Sequence, residues 1–207
     1  MHPSYKSLLL TLGVVLSNAC SAASGPLGID HRLSYDDSGI WSRKAQLATL
    51  NGLLIADVAG ALWQGSDSRI GKNFWYSLDA TLISGVSAQL LKRVFSRERP
   101  VNTSDPNLWF KGSGNESFPS GEVTVISAMV TPFIAEYRHD YPAVYLLELL
   151  PLYDGTARMK VHAHWQTDVL AGFALGTSVG AFMHGRDTPL LVSVLPGQFT
   201  VGFNKRF

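Results

Sequence analysis

A chain of 207 residues is long enough to bury one sizeable core and short for two domains. Its formal net charge is +1, with 16% charged and 46% hydrophobic residues. That balance provides no basic face for nucleic acid and implies a large buried fraction, so no polynucleotide partner is expected.

The first residues read as a targeting segment. A polar start, His2 to Lys6, precedes the apolar run Leu8 to Leu16, and Ser21-Ala22-Ala23-Ser24 supplies small residues for cleavage after Ala22 or Ala23. The run is too short to span a bilayer. Residues 1–23 are therefore expected to be a secretory signal peptide, and 24–207 a single domain exported to the periplasm. Cleavage removes Cys20, the only cysteine in the sequence, and leaves a domain held by packing without a disulfide. Lipid attachment at Cys20 is a weaker alternative, because Ser17 stands where such sites prefer a larger apolar residue.

Residues 24–40, rich in Gly, Asp and Ser, form an irregular lead-in. The stripe Leu47, Leu50, Leu54, Val58, Ala61 and Leu62 predicts a helix over 41–63, stopped by Gly65. Asp57 is expected on its solvated side or bonded locally. A second stripe, Phe74, Leu78, Leu82, Val86 and Leu90, predicts a helix over 73–95 that ends in a basic cluster before Pro100. Residues 101–118 carry no periodicity, and so long a loop is usually functional; Trp109, Phe110 and Lys111 are its candidates for a lid or for simple anchoring. A third helix opens at Pro119 or Ser120, with a kink expected at Pro132. A turn follows at 138–142, then short helices over 143–150 and 152–161 separated by Pro151. The last long helix, 165–183, is rich in small residues that permit close helix contacts.

Two strands, 190–195 and 198–203, around Pro196-Gly197 predict a short C-terminal β-hairpin covering one end of the core. The fold class expected is all-α, a helical bundle with that hairpin attached. The charge-free stretches 123–135 and 169–183 fall short of the ~20 residues a spanning helix needs, so both read as core helices. Peripheral contact with a membrane stays open.

Three stretches carry the chemistry: Lys92 to Pro100, Phe118 to Glu122, and Ala157 to Asp168. Binding a phosphoryl group takes cations, forked Arg donors and inward-facing N–H groups at an open helix N-terminus. Lys92, Arg99 and Arg158 offer the cations; Ser120 and Gly121 offer a hydroxyl and approachable N–H groups at a helix start. His164 and Asp168, four apart, share a helix face, so the carboxylate can fix the tautomer of a nucleophilic imidazole. His162 points elsewhere and reads as a supporting or surface residue.

The patterns K-x6-R-P, P-S-G-H and S-R-x5-H-x3-D mark the type-2 phosphatidic acid phosphatases. These share an all-helical fold with bacterial non-specific acid phosphatases and vanadium haloperoxidases. The sequence resembles this superfamily over residues 92–168. Lys92, Arg99 and Pro100 match the first pattern, Pro119, Ser120 and Gly121 three positions of the second, and Arg158, His164 and Asp168 the third, with Ala157 in place of its Ser. The resemblance implies a phosphatase in which His164 forms a phosphohistidine and Asp168 orients it. It likewise implies that Lys92, Arg99, Ser120, the Gly121 N–H and Arg158 hold the phosphoryl oxygens, with no metal or other cofactor. The partner implied is a phosphorylated small molecule or a lipid head group.

Glu122 stands where the family has a His that protonates the leaving oxygen. Burial would raise a glutamate towards a working general acid, whereas neighbouring cations and a helix N-terminus would keep it ionised, and sequence does not settle the balance. A poor acid at this position would favour substrates whose leaving group needs no proton, such as diphosphates. The alternatives are a vanadate-dependent haloperoxidase using the same pocket, and a degenerate member that binds phosphorylated ligands without turnover.

Overall fold

In a computed structural model, residues 25–114, 116–191, 194–195 and 198–199 are described. The expected signal peptide lies outside them. Five α-helices make up the body: α1 (Arg43–Gln64), α2 (Arg69–Phe95), α3 (Gly121–Tyr137), α4 (Leu149–Lys160) and α5 (Gln166–His184). Short 3-10 helices, Gly39–Trp41 and Pro142–Glu148, precede α1 and α4.

Local chemistry sets the ends. Ser42 and Ser68 cap α1 and α2 with side-chain oxygens that accept from Ala45 N and Gly71 N. Ser96 closes α2 in the left-handed region at φ 38°. The segment expected as a helix over 143–150 is a 3-10 helix instead, and Pro151 does not separate two helices. It sits in the first turn of α4, where a missing N–H costs no intrahelical bond. Pro132 is accommodated inside α3.

The core is centred on α3, which packs against α5 and α2. Gly172, Gly176 and Gly180 form a seam along α5 that lets it approach the backbone of α3: a Cβ at Gly176 would stand 2.2 Å from the Thr124 carbonyl oxygen. The same seam brings the starts of the two helices together, and Ser120 N donates to the Asp168 carbonyl at 2.9 Å.

Two expectations about α1 and α2 are corrected. The residues α1 buries are Gln46, Asp57 and Ala61, while Ile55, Val58, Leu62 and Trp63 face outward. Asp57 is not on a solvated side; it is buried and accepts a hydrogen bond from Ser77 Oγ on α2 at 2.8 Å. On α2 the stripe Leu82, Val86 and Leu90 is exposed at 55%, 62% and 58%, and Asn73, Ser77, Asp79 and Ser84 lie inward. The 3.6 periodicity is real, but part of each stripe faces out: Leu47, Val58 and Leu62 on α1 and Leu82, Val86 and Leu90 on α2, while Ala61 is buried. Among the described residues α1, rather than either of the core stretches, is long and apolar enough to cross a membrane, with 17% of its most apolar window buried.

The C-terminal hairpin falls almost wholly outside the described residues. A two-residue pairing, Val194–Leu195 with Gln198–Phe199, is described there and is too short to support it.

Candidate functional site

Lys92 on the last turn of α2 and Arg99 just beyond it converge on one acceptor. Lys92 Nζ donates to the Glu116 carbonyl at 2.7 Å and Arg99 Nη2 to the same oxygen at 3.1 Å. Burial, followed by the charge of Arg99, pushes the Lys92 ammonium down to about 8. Arg158, on the last turn of α4, donates from Nη1 to Gln46 Oε1 at 3.1 Å. Gly121 opens α3 beside Lys92, whose Cε would lie 3.4 Å from a Cβ built there.

These groups line an open cavity of about 420 Å³ together with Glu122, His164 and the apolar side chains Leu50, Leu54 and Val125. Of the residues the sequence singles out, Lys92, Arg99, Gly121, Glu122, Arg158 and His164 face this cavity. Ser120 and Asp168 are fully buried beside it. Ser120 caps α3, and its Oγ finds no hydrogen-bond partner among the described residues.

His164 sits in the turn between α4 and α5. Burial, opposed by Asp168 and reinforced by Lys92 and Arg158, pushes its imidazole down to about 4, so it is neutral at neutral pH and keeps a free lone pair. Nδ1 lies 3.7 Å from Asp168 Oδ2, longer than a hydrogen bond, and has no other partner among the described residues. Asp168 is itself held tightly. Its Oδ2 accepts from Trp165 N at 2.8 Å and from Ser117 Oγ, and its Oδ1 from Arg97 Nη1 at 2.5 Å. Burial alone would raise this carboxyl, but His164, Arg97 and Ser117 outweigh it and hold it below the ordinary aspartate value.

Glu122 is the second residue of α3, and its Oε2 accepts from Arg43 Nη1 at 2.7 Å. Its Oε1 stands 3.9 Å from Arg158 Nη1. Burial works to raise its pKa, yet the Arg43 hydrogen bond and the charges of Arg158 and Arg43 prevail and lower it. At neutral pH Glu122 is a carboxylate shared by two guanidinium groups. Behind it lies Asp154 on α4, fully buried, with neither carboxylate oxygen hydrogen-bonded among the described residues. Burial and then the charge of Glu122 push Asp154 up to about 7.

Several members of this constellation were not singled out from sequence. Arg43 and Gln46 enter from α1, Asp30 from the lead-in, and Ser117 and Thr167 from loop and helix start. Arg97 was visible only as one charge in a cluster. Its guanidinium is fully buried, 4.4 Å from the Trp109 ring centroid and 5.5 Å from that of Trp165. Trp109 is thus an anchor of the long loop, packed on Phe95 and Phe118. His162 supports the fold, its Nε2 lying 2.7 Å from the Leu33 carbonyl.

Two curated proteins align with 106 residues of the chain, 49% of it. The "Lipid A 1-phosphatase" of Rhizobium johnstonii is 35% identical over 42% of its own length, and the "Lipid A 1-phosphatase" of Rhizobium etli 34% identical over 44%. The match therefore spans less than half the length of either relative. No solved structure matches the chain. The sequence profile of the PAP2 superfamily matches residues 73–187, more than half of the chain and every motif position from Lys92 to Asp168. The chain belongs to the PAP2 superfamily.

Proposed function

We propose that the protein is an exported phosphatase that removes a phosphoryl group from a lipid-linked phosphate or diphosphate, with His164 as nucleophile. One observation carries it: a buried, neutral imidazole opens onto the same cavity as Lys92, Arg99, Arg158 and the N-terminus of α3. The names of the two relatives support a lipid phosphate as substrate class.

With Nδ1 on the Asp168 side, Nε2 is the atom left to attack phosphorus. As the N–P bond forms, the P–O bond to the leaving group breaks, and charge grows on oxygens faced by three cations and helix N–H groups. The positive charge arising on His164 draws Asp168 into a full hydrogen bond. Water then attacks phosphorus, the N–P bond breaks, and inorganic phosphate leaves with His164 restored.

An ionised Glu122 is no ready proton donor, which favours a leaving group stable as an anion; a phosphate departing from a diphosphate is one. The apolar part of such a substrate also has a place. The cavity shares Thr81, Gly85 and Gln89 with a groove of about 420 Å³ along α2, walled by Leu82, Val86 and Leu90. The outward apolar face of α2 walls this groove, and with that of α1 it would rest against a membrane surface.

The test is a phosphatase screen of the wild type beside His164→Ala over pH 4 to 8, roughly the span in which Glu and His titrate. It should include a lipid diphosphate, a lipid monophosphate and a soluble aryl phosphate. Turnover that disappears with His164, and is fastest on the diphosphate, supports the proposal. A wild type that binds phosphate yet hydrolyses nothing would overturn it.

A further inference from the structure

Asp30 lies in the irregular segment ahead of α1, outside the region matched to the superfamily, yet its carboxylate reaches the site's interior. It is buried to 1% exposure, and its carboxylate accepts hydrogen bonds from Thr167, the residue before Asp168, and from Arg97, which also holds Asp168. Oδ1 accepts from Thr167 N at 2.8 Å, while Oδ2 accepts from Thr167 Oγ at 2.7 Å and from Arg97 Nη2 at 2.6 Å. The backbone of Gly25 closes over it so tightly that a Cβ there would stand 2.1 Å from Oδ2.

Arg97 links this carboxylate to Asp168. Its five N–H donors are all engaged: Nε and Nη2 with the Pro106 carbonyl, Nη1 with Thr167 Oγ and Asp168 Oδ1, and Nη2 again with Asp30. One guanidinium is thus divided between two carboxylates, Asp168 on Nη1 and Asp30 on Nη2. Without Asp30 its whole charge would fall to Asp168 and draw that carboxylate away from His164.

We propose that Asp30 is a positioning residue of the catalytic site: by sharing Arg97 and fixing Thr167 at the start of α5, it holds Asp168 where it can orient His164. The segment around it is built to stay in place. Arg32 Nε donates to the Pro100 carbonyl at 2.7 Å, and Gln166 bonds His31 through both its amide oxygen and nitrogen, at 3.0 and 2.9 Å. The lead-in is therefore part of the active site's scaffold. This inference rests on His164 being the nucleophile.

A helix cap alone would affect stability and leave turnover per folded molecule unchanged, so the test separates the two. Asp30→Asn keeps the shape and removes the charge. Its kcat on a soluble aryl phosphate is expected to fall about 10- to 100-fold, with KM within about twofold because the phosphate ligands are untouched. The charged groups around His164 are Asp168 on α5, Lys92 on α2, Arg99 just beyond α2, Arg158 on α4 and Glu122 on α3. Losing the Asp30 charge, with Asp168 drawn off, leaves the cations less opposed, so the acid limb of the pH–rate profile moves to lower pH.

Thr167→Val, which keeps the Asp30 charge but cuts the hydroxyl link, should lower kcat several-fold at unchanged KM, and serves if Asp30→Asn does not fold. Calorimetric titration with inorganic phosphate checks that each variant retains its pocket. Unchanged kcat per folded molecule in the variants overturns the role of Asp30. Persistent wild-type-like turnover in His164→Ala overturns the nucleophile assignment instead, whatever Asp30 does.

Discussion

Replacing Glu122 by Gln removes one negative charge from the proposed phosphate pocket while keeping the side chain's size. Glu122 Oε1 stands 3.9 Å from Arg158 Nη1, with the two side chains 19% and 9% exposed. At that separation and an effective dielectric constant of ~20, their attraction is on the order of 4 kcal/mol. A phosphate entering the cavity competes with it for Arg158 and also meets the carboxylate's repulsion. If a third of that attraction is released, inorganic phosphate binds about 10-fold more tightly to Glu122→Gln. Calorimetric titration at pH 7 measures this, and hydrolysis of an alkyl phosphate beside an aryl phosphate supplies the second reading. Because Glu122 is already ionised, the alkyl-to-aryl rate ratio should stay as in the wild type. Weaker phosphate binding, or a loss of ~100-fold or more confined to the alkyl ester as expected for a missing general acid, would refute the reasoning.

Three further outcomes follow. In kcat/KM, which reports the free enzyme, the acid limb lies well below the ordinary histidine value because His164 is pushed down to about 4; activity also declines above about pH 8 as Lys92 loses its proton, and Lys92→Arg should abolish that alkaline limb. Asp154 has a folded pKa of about 7, above its ordinary 3.8, so its contribution to stability is full below about pH 4 and lost as pH rises through 7. Asp154→Asn should therefore be more stable than the wild type at pH 8, by up to ~4 kcal/mol, with the difference vanishing near pH 4, as denaturant titration at both pH values would show. Leu62→Asp on the outer face of α1 should weaken flotation with anionic phospholipid vesicles by at least ~10-fold, given about 1.5–3 kcal/mol per buried large aliphatic side chain, while leaving hydrolysis of a soluble aryl phosphate unchanged.

Sequence and structure agree best where the chemistry is local. Lys92 and Arg99 are a few residues apart around a helix end, His164 and Asp168 four apart around a helix start, and the glycine seam of α5 repeats every four residues. Such spacings survive folding, which is why the five α-helices, the start of α3 near Ser120 and the convergence of Lys92 and Arg99 could be read in advance. What could not be read depends on partners distant in the chain. Arg43 and Gln46 lie on an apolar helix, and Asp30 in a Gly-rich lead-in, with nothing nearby to mark them; each matters through a contact 67 or more residues away in sequence. The stripes of α1 and α2 mislead for another reason. Periodicity reveals that a helix has two faces, but which face turns inward is decided by neighbours such as Ser77, which accommodates Asp57 in the interior.

The charge on Glu122 illustrates the same limit. From sequence, burial and neighbouring cations pull in opposite directions. Arg43, arriving from α1 to donate a 2.7 Å hydrogen bond, tips the balance towards the carboxylate.

Trapping the covalent intermediate is the decisive measurement. Wild type and His164→Ala would be mixed with a phosphoryl-labelled diphosphate, quenched in alkali, and mapped by mass spectrometry. The expected result is an alkali-stable, acid-labile phosphoryl group on His164, absent from the variant, which no longer turns over. Hydrolysis by the wild type with no phosphorylated protein, or turnover persisting in His164→Ala, would contradict the assignment of His164 as nucleophile.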